Sequence, residues 1–138
     1  MSEIAAVQEP GLLDRIHWGA DGLVPAVVQH SGDRSVLLVG SMNRAALART
    51  LAEGRLWLWS RSRSALWCKG ATSGHFQQVD GIYVNCEQNS LLLHVTPRGP
   101  ICHAGYATCF YRQADPDGTL TVVADRQFDP AAVYGATT

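Results

Sequence analysis

The sequence is a succession of short apolar runs separated by turn residues, and one run has the composition of a helix. That run covers about residues 43–53: Asn43 is a suitable N-cap, alanine and leucine fill the interior, and Gly54 follows where a glycine commonly ends a helix. Strand-like runs surround it at residues 24–30, 35–40, 56–59, 78–86, 91–96 and 119–124. We therefore predict a mainly β, α+β domain with one central helix.

Length and charge narrow the class of protein. A chain of 138 residues is expected to form a single domain, here residues 1–138. Its formal charge of -1 disfavours nucleic acid as a partner, and no apolar run is long enough to span a membrane. The start, Met1 to Ile4, lacks the pattern of a signal peptide. We expect a cytoplasmic protein, whose four cysteines are ligands or free thiols and not disulfides.

Cys86, Cys102 and Cys109 are the candidate metal ligands. They are spaced sixteen and seven residues apart, unlike the paired Cys-x-x-Cys of structural zinc sites. Catalytic zinc commonly has three protein ligands and leaves one coordination position for water. We expect one open Zn²⁺ site per chain, the alternative being that these are small buried residues that only fill space.

Two residues beside these cysteines have open roles. His103 directly follows Cys102 and is the candidate catalytic acid and base, because its unperturbed pKa lies near neutrality. The alternative is a histidine that is hydrogen-bonded within its loop. Cys68 is either a fourth ligand, which would close the metal site, or a thiol in the wall of a pocket.

A stretch rich in cations, hydroxyls and aromatic rings is the candidate substrate site. Arginine fits phosphate in a bidentate manner, glycine and serine allow close approach to an anion, and tryptophan can stack on a heterocycle. Beside an open metal site this composition favours a small phosphorylated heterocycle, although the stretch alone could equally be an exposed loop with two core tryptophans. The candidate residues are Arg61, Arg63, Trp67, Lys69, Thr72 and Ser73.

An ordered set of motifs resembles the phosphoribosyl-AMP cyclohydrolase family of histidine biosynthesis. The match covers about residues 22–112 and leaves 113–138 as a C-terminal extension. The motifs are Gly22-Leu23-Val24-Pro25-Ala26, Met42-Asn43-Arg44-Ala45-Ala46-Leu47, Trp59-Ser60-Arg61-Ser62-Arg63, Lys69-Gly70, Thr72-Ser73-Gly74, Cys102-His103 and Cys109-Phe110-Tyr111-Arg112.

The resemblance implies a fold, an activity and an assembly. The activity would be a zinc-dependent hydrolysis that opens the adenine ring of phosphoribosyl-AMP between N1 and C6, with His103 relaying protons. The assembly would be an intertwined homodimer with shared active sites. In it, Cys86 of one chain would meet Cys102 and Cys109 of the other.

The sequence departs from the family pattern at the expected magnesium site. The family has Asp-Cys-Asp-x-Asp, whereas this chain has Asn85, Glu87 and Asn89 around the cysteine. One carboxylate with two amides makes a poor Mg²⁺ site, so magnesium is doubtful. One zinc, three thiolates and Glu87 nevertheless carry the same net charge as the family's two ions, three thiolates and three carboxylates.

Three other departures lie in the candidate substrate site. Cys68 stands for a histidine of the family pattern, Ala71 for an acid and Ser41 for a tyrosine. These changes leave two alternatives open. One is a paralogue that hydrolyses another purine-like or amidine substrate in a specialised pathway, and the other is a non-catalytic zinc- or nucleotide-binding relic.

Overall fold

The structure is a computed structural model that describes residues 11–134. The expectations for residues 1–10 and for the last four residues of the chain lie outside the described residues. In chain order the elements are α1 Leu12–Arg15, β1 Val24–His30, β2 Val36–Met42, α2 Arg44–Glu53, β3 Trp57–Ser60, β4 Ala65–Cys68, β5 Gln77–Val84, β6 Leu91–Pro97, β7 Arg112–Ala114, β8 Leu120–Val122 and α3 Pro130–Tyr134.

Four strands form the main sheet, in the order β2-β1-β6-β5. The β1–β2 and β5–β6 pairs are antiparallel, and β1 and β6 join them in parallel. Ala26 of β1 lies opposite both Gly40 of β2 and Leu91 of β6. The start of β1, the end of β2 and the start of β6 therefore meet at one end of the sheet.

Helix α2 covers one face of this sheet and confirms the predicted central helix. The Asn43 side chain accepts a hydrogen bond from the backbone N–H of Ala46 at 2.8 Å, which caps the first turn. Gly54 ends the helix with φ 73°, a conformation that glycine adopts without strain. Alternate residues of β1 and β6 are buried in one core together with Ala46 and Leu47 of the helix. The mainly β, α+β class is thus confirmed.

Strands β3 and β4 form a second antiparallel pair beside α2. Strand β4 was not predicted, because its sequence of alanine, leucine, tryptophan and cysteine follows a run of serine and arginine and resembled a basic loop. Leu58 of β3 is buried in the same core as Ala46. The β3–β4 hairpin therefore carries three of the candidate substrate residues, Arg61, Arg63 and Trp67.

The prediction that strand 78–86 ends at Cys86 is wrong, because β5 ends at Val84 and Cys86 lies in the following turn. The side-chain oxygen of Asn85 accepts hydrogen bonds from the backbone N–H groups of Asn89 and Ser90, which turns the chain before Cys86 can pair.

A small hairpin follows the cysteine loop. Its turn lies at residues 115–118, where the Gly118 N–H donates to the Asp115 carbonyl at 2.8 Å. It joins β7 to β8, of which only β8 was expected. Helix α3 lies beyond it, and no helix in residues 11–134 has the length and apolar character needed to cross a membrane.

Candidate active site

Two of the three candidate ligands, Cys102 and Cys109, come together in the loop that follows β6. A tight turn from Cys102 to Tyr106 is closed by two backbone hydrogen bonds, and Gly105 within it has φ 101°. Cys109 is fixed by its N–H, which donates to the Leu37 carbonyl at 2.8 Å. The two thiols lie close together, since Cys102 is among the groups that raise the pKa of Cys109.

The electrostatics of this pair favour the addition of a cation. Burial and the neighbouring Cys102 together raise the pKa of the Cys109 thiol to about 11, while Lys69 acts in the opposite direction. Near neutral pH the Cys109 thiol therefore stays protonated unless a positive ion displaces the proton. The Cys102 sulfur also accepts the N–H of Ala104 at 3.4 Å.

Cys86 lies at the other end of the sheet from this pair. Its turn precedes Leu91, which is level with Ala26, whereas Cys109 is bound beside Leu37, close to the level of Gln29. Three residues of strand separate these levels by roughly 10 Å. Two sulfurs on one zinc ion lie within about 5 Å of each other. Within one chain, Cys86 therefore cannot share an ion with Cys102 and Cys109.

The donor set fits zinc only when a second chain supplies part of it. Thiols are the soft ligands that zinc prefers, and the four cysteines are free. Among residues 11–134, no three cysteine, histidine or acidic side chains of one chain converge on a point. Cys102 and Cys109 could thus hold a metal ion only together with a further ligand, and the exposed Cys86 thiol is one that a second chain could offer.

His103 lies in the tight turn next to Cys102 with its side chain exposed. The alternative role, a histidine fixed by hydrogen bonds in its own loop, finds no support, since its ring makes no hydrogen bond with the described part of the chain. A free ring next to a candidate metal ligand can exchange protons with a bound molecule.

Trp67 is the centre of the candidate substrate site. The ammonium group of Lys69 lies 4.9 Å from its ring centroid, and the Arg63 guanidinium lies 5.5 Å from it. Arg61 lies in the same β3–β4 turn, where it donates to the Ser41 hydroxyl at 3.1 Å and pairs with Asp21 at 3.4 Å. The hairpin thus brings two exposed guanidinium groups and a half-buried indole ring together.

The loop after β4 carries the two hydroxyl candidates. Thr72 is exposed, and the Ser73 hydroxyl accepts the N–H of His75 at 3.1 Å. Gly70 has φ 99°, and a Cβ there would lie 2.6 Å from the backbone of His75, so the loop folds tightly only with glycine at this position.

Lys69 differs from the other candidates because its side chain is only 7% exposed. Burial lowers the pKa of its ammonium group, and the nearby Cys109 and Cys102 thiols act in the opposite direction. No carboxylate in residues 11–134 pairs with it. Its ammonium group thus lies near both the Trp67 indole ring and the thiols of Cys102 and Cys109, without a carboxylate partner in the described part of the chain.

Cys68, at the end of β4, is buried and lies apart from the thiol pair. The residues that influence its titration are Arg55 and Glu53, and burial raises the pKa of its thiol. No thiol or histidine is among them. Within one chain this supports the pocket-wall interpretation of Cys68.

Asn85 and Asn89, which stand where the family pattern has magnesium-binding carboxylates, are hydrogen-bonded to each other. The Asn85 amide donates to the side-chain oxygen of Asn89 at 2.6 Å. The Asn85 oxygen is occupied by two backbone N–H groups, at 2.9 and 3.0 Å. Glu87 is exposed in the same turn. The turn is therefore closed by hydrogen bonds between its own residues.

Two residues near the N-terminus also contact this turn and were missed from the sequence. Arg15 donates to the Gln88 side chain at 2.9 Å, and the His17 ring lies 3.1 Å from the Glu87 carbonyl. Both contacts join segments about seventy residues apart. No local pattern marks such residues, so only the folded chain reveals them.

Comparison with known proteins identifies the relatives of this chain. Residues 38–111 match the sequence model of a family described as phosphoribosyl-AMP cyclohydrolase. A phosphoribosyl-AMP cyclohydrolase of Pelotomaculum thermopropionicum is 48% identical over 89% of this chain and 95% of its own length. One from Chlorobium limicola is 42% identical over 98% of both chains. A histidine biosynthesis bifunctional protein of Synechocystis is 46% identical over 86% of this chain and 60% of its own length.

These similarities place the chain in a class of enzymes that act on a cyclic amidine, the cyclohydrolases. More specifically, the chain belongs to the phosphoribosyl-AMP cyclohydrolase family. The resemblance inferred from the motifs is thereby confirmed.

Proposed function

We propose that this protein is a zinc-dependent hydrolase that opens the adenine ring of phosphoribosyl-AMP between N1 and C6, as a step of histidine biosynthesis. The observation that carries the proposal is the pair of thiols formed by the buried Cys102 and the partly buried Cys109, in a chain whose relatives bear the name of this activity. Histidine biosynthesis is supported by the name of the bifunctional relative.

Cys102 and Cys109 of one chain, with Cys86 of a second, would hold one Zn²⁺ per chain. Zinc bound there supplies Lewis-acid chemistry, which makes water acidic enough to act as a nucleophile at neutral pH. His103, exposed beside Cys102, takes a proton from the attacking water and delivers one to the ring nitrogen. Cys102 is buried and Cys109 is partly buried, so bulk water has limited access to the protein side of the site.

A homodimer with shared sites completes the ligand set, and two apolar surfaces support it. The face of the main sheet opposite α2 carries Val39 and Tyr83, which are 50% and 53% exposed. The β7–β8 hairpin presents Leu120 and Val122, also more than half exposed, although a two-stranded hairpin is at best marginally stable alone. A second chain would cover both surfaces.

The basic hairpin would bind the substrate. Arg61 and Arg63 lie on an exposed turn where their guanidinium groups can meet phosphate or ribose oxygens. Trp67 offers a ring on which a base can stack. Thr72 and Ser73 supply hydroxyls on the neighbouring loop, and Lys69 provides a buried positive charge between the base and the metal.

Magnesium is not required in this proposal. The amide pair of Asn85 and Asn89 satisfies its own polar groups, and Glu87 alone is a poor site for a hard ion that prefers several oxygen ligands. The proposed location is the cytoplasm, because thiols that bind metal must stay reduced.

The test is turnover of phosphoribosyl-AMP by zinc-loaded protein in buffer without magnesium. We expect ring opening, about one zinc per chain by elemental analysis, and a strong loss of activity in His103→Ala with zinc retained. Zinc-bound protein that does not turn over this substrate would refute the proposal. Unchanged activity in His103→Ala would remove only the proton-transfer role.

A second candidate function is hydrolysis of a related heterocycle. The observation that favours it is the substrate wall, where a buried thiol, Cys68, and the methyl group of Ala71 stand for a histidine and an acid of the family pattern. Retained zinc with turnover of another purine-like or amidine substrate, and none of phosphoribosyl-AMP, would favour this candidate. Zinc binding without turnover of any such compound would instead indicate a binding relic.

A further inference from the structure

The Cys86 turn has to hold an exposed thiol in one position. Cys86 lies in the six-residue connection between β5 and β6, and its side chain is exposed. Gln88 in the same turn has φ 59°, a backbone conformation that residues other than glycine rarely adopt. Such a conformation persists only where surrounding contacts fix it.

The contacts that fix it from outside come from the segment before β1. The backbone N–H of His17 donates to the Gln88 carbonyl at 2.7 Å. The His17 ring nitrogen Nδ1 lies 3.1 Å from the Glu87 carbonyl, which can only accept, so Nδ1 carries the proton. Arg15 adds a bond to the Gln88 side chain at 2.9 Å. The two residues that follow Cys86 are thus held by three hydrogen bonds.

This segment is itself anchored. Ile16, between the two contacting residues, is buried in the core, so that Arg15 and His17 face away from the core toward the turn. Helix α1 is tied to α2 by Arg44, which donates to the Leu13 carbonyl at 2.9 Å and pairs with Asp14 at 2.7 Å. Arg15 and His17, here called the clamp, therefore fix the exposed Cys86 turn to a segment that is anchored in the core.

We propose that His17, assisted by Arg15, is a positioning residue that holds the Cys86 turn in the conformation in which its thiol can bind a metal shared with a second chain. The inference rests on the proposed function, since it takes Cys86 as a ligand. An unrestrained turn would lose backbone entropy at each residue that becomes ordered on binding. The clamp removes much of that loss before the metal arrives.

The test compares zinc dissociation constants, measured by competition with a chromophoric chelator, in wild type, His17→Ala, His17→Asn and Arg15→Ala/His17→Ala. We expect zinc binding to weaken about threefold to tenfold in His17→Ala, the effect of one hydrogen bond, and roughly 10–100-fold in the double variant. His17→Asn should recover part of the loss through its side-chain N–H. In cobalt-substituted protein, the thiolate charge-transfer band should fall in the same order.

The matched control is His30→Ala. The His30 ring accepts the N–H of Gly32 at 2.9 Å and lies at the other end of β1, away from Cys86. It should bind zinc as wild type does. Zinc binding by His17→Ala and the double variant equal to wild type would overturn the inference while leaving the proposed function intact. A wild-type protein that binds no zinc would instead refute the proposed function.

Discussion

Replacing both amides of the Cys86 turn with carboxylates should make the protein depend on magnesium. The Asn85 amide lies 2.6 Å from the Asn89 oxygen, so Asn85→Asp/Asn89→Asp removes one hydrogen bond and sets two like charges side by side. The two backbone bonds to the Asn85 oxygen survive, because a carboxylate also accepts them. The variant tests whether this amide pair takes the place of a cation.

The expected cost follows from these contacts. The lost hydrogen bond contributes about 1 kcal/mol, and two charges about 4 Å apart in water repel by about 1 kcal/mol. Without magnesium, the free energy of unfolding of the variant should therefore be about 2 kcal/mol lower than that of wild type. Magnesium at about 100 times its dissociation constant contributes about 2.7 kcal/mol, which is enough to offset that loss.

Thermal unfolding of zinc-loaded protein measures both effects, with and without magnesium at constant ionic strength. Gln113→Glu, an exposed amide of β7, controls for added charge. We expect a wild-type midpoint that is insensitive to magnesium and a variant midpoint that is lower without it and restored by it. A variant equal to wild type without magnesium, or one that does not respond to it, would refute this reasoning.

Two further predictions concern the scaffold. Gly70→Ala should strongly destabilise the protein and reduce substrate binding, because the new Cβ would lie 2.6 Å from the His75 backbone. Gly118→Ala also places alanine at a positive φ, 90°, but in open space, so it should lower the unfolding midpoint by a smaller amount that reflects backbone strain alone. Asp80→Asn should destabilise the protein at neutral pH, because hydrogen bonds from Ser31 and Thr96 hold the pKa of that carboxyl below its usual range. That stability is present above the unfolded-state pKa and is lost as pH falls through the lower folded-state pKa, so unfolding curves of variant and wild type should converge in acid.

The local elements could be predicted from the sequence because their signals are local. Helix α2 has its cap at Asn43 and its stop at Gly54, and the β1–β2 hairpin has turn residues between two apolar runs. The parallel pairing of β1 with β6 could not be predicted, since it joins Ala26 to Leu91 without any intervening signal.

The candidate site divides in the same way. Residue type and spacing indicated the three cysteines, and the structure brought Cys102 and Cys109 together. The separation of Cys86 from them depends on strand register, which residue spacing does not reveal. The burial of Lys69 likewise depends on β4, a strand whose sequence resembled a loop.

The most direct test of the shared zinc site is complementation between two inactive chains. Cys86→Ser removes one ligand, and Cys102→Ser/Cys109→Ser removes the other two, so each variant alone should lose zinc and activity. If the two are unfolded together and refolded at equal amounts, half of the dimers are mixed and each has one intact site of its two, so that about a quarter of wild-type activity should return. No recovery of zinc or activity in the mixture would contradict a site built from two chains.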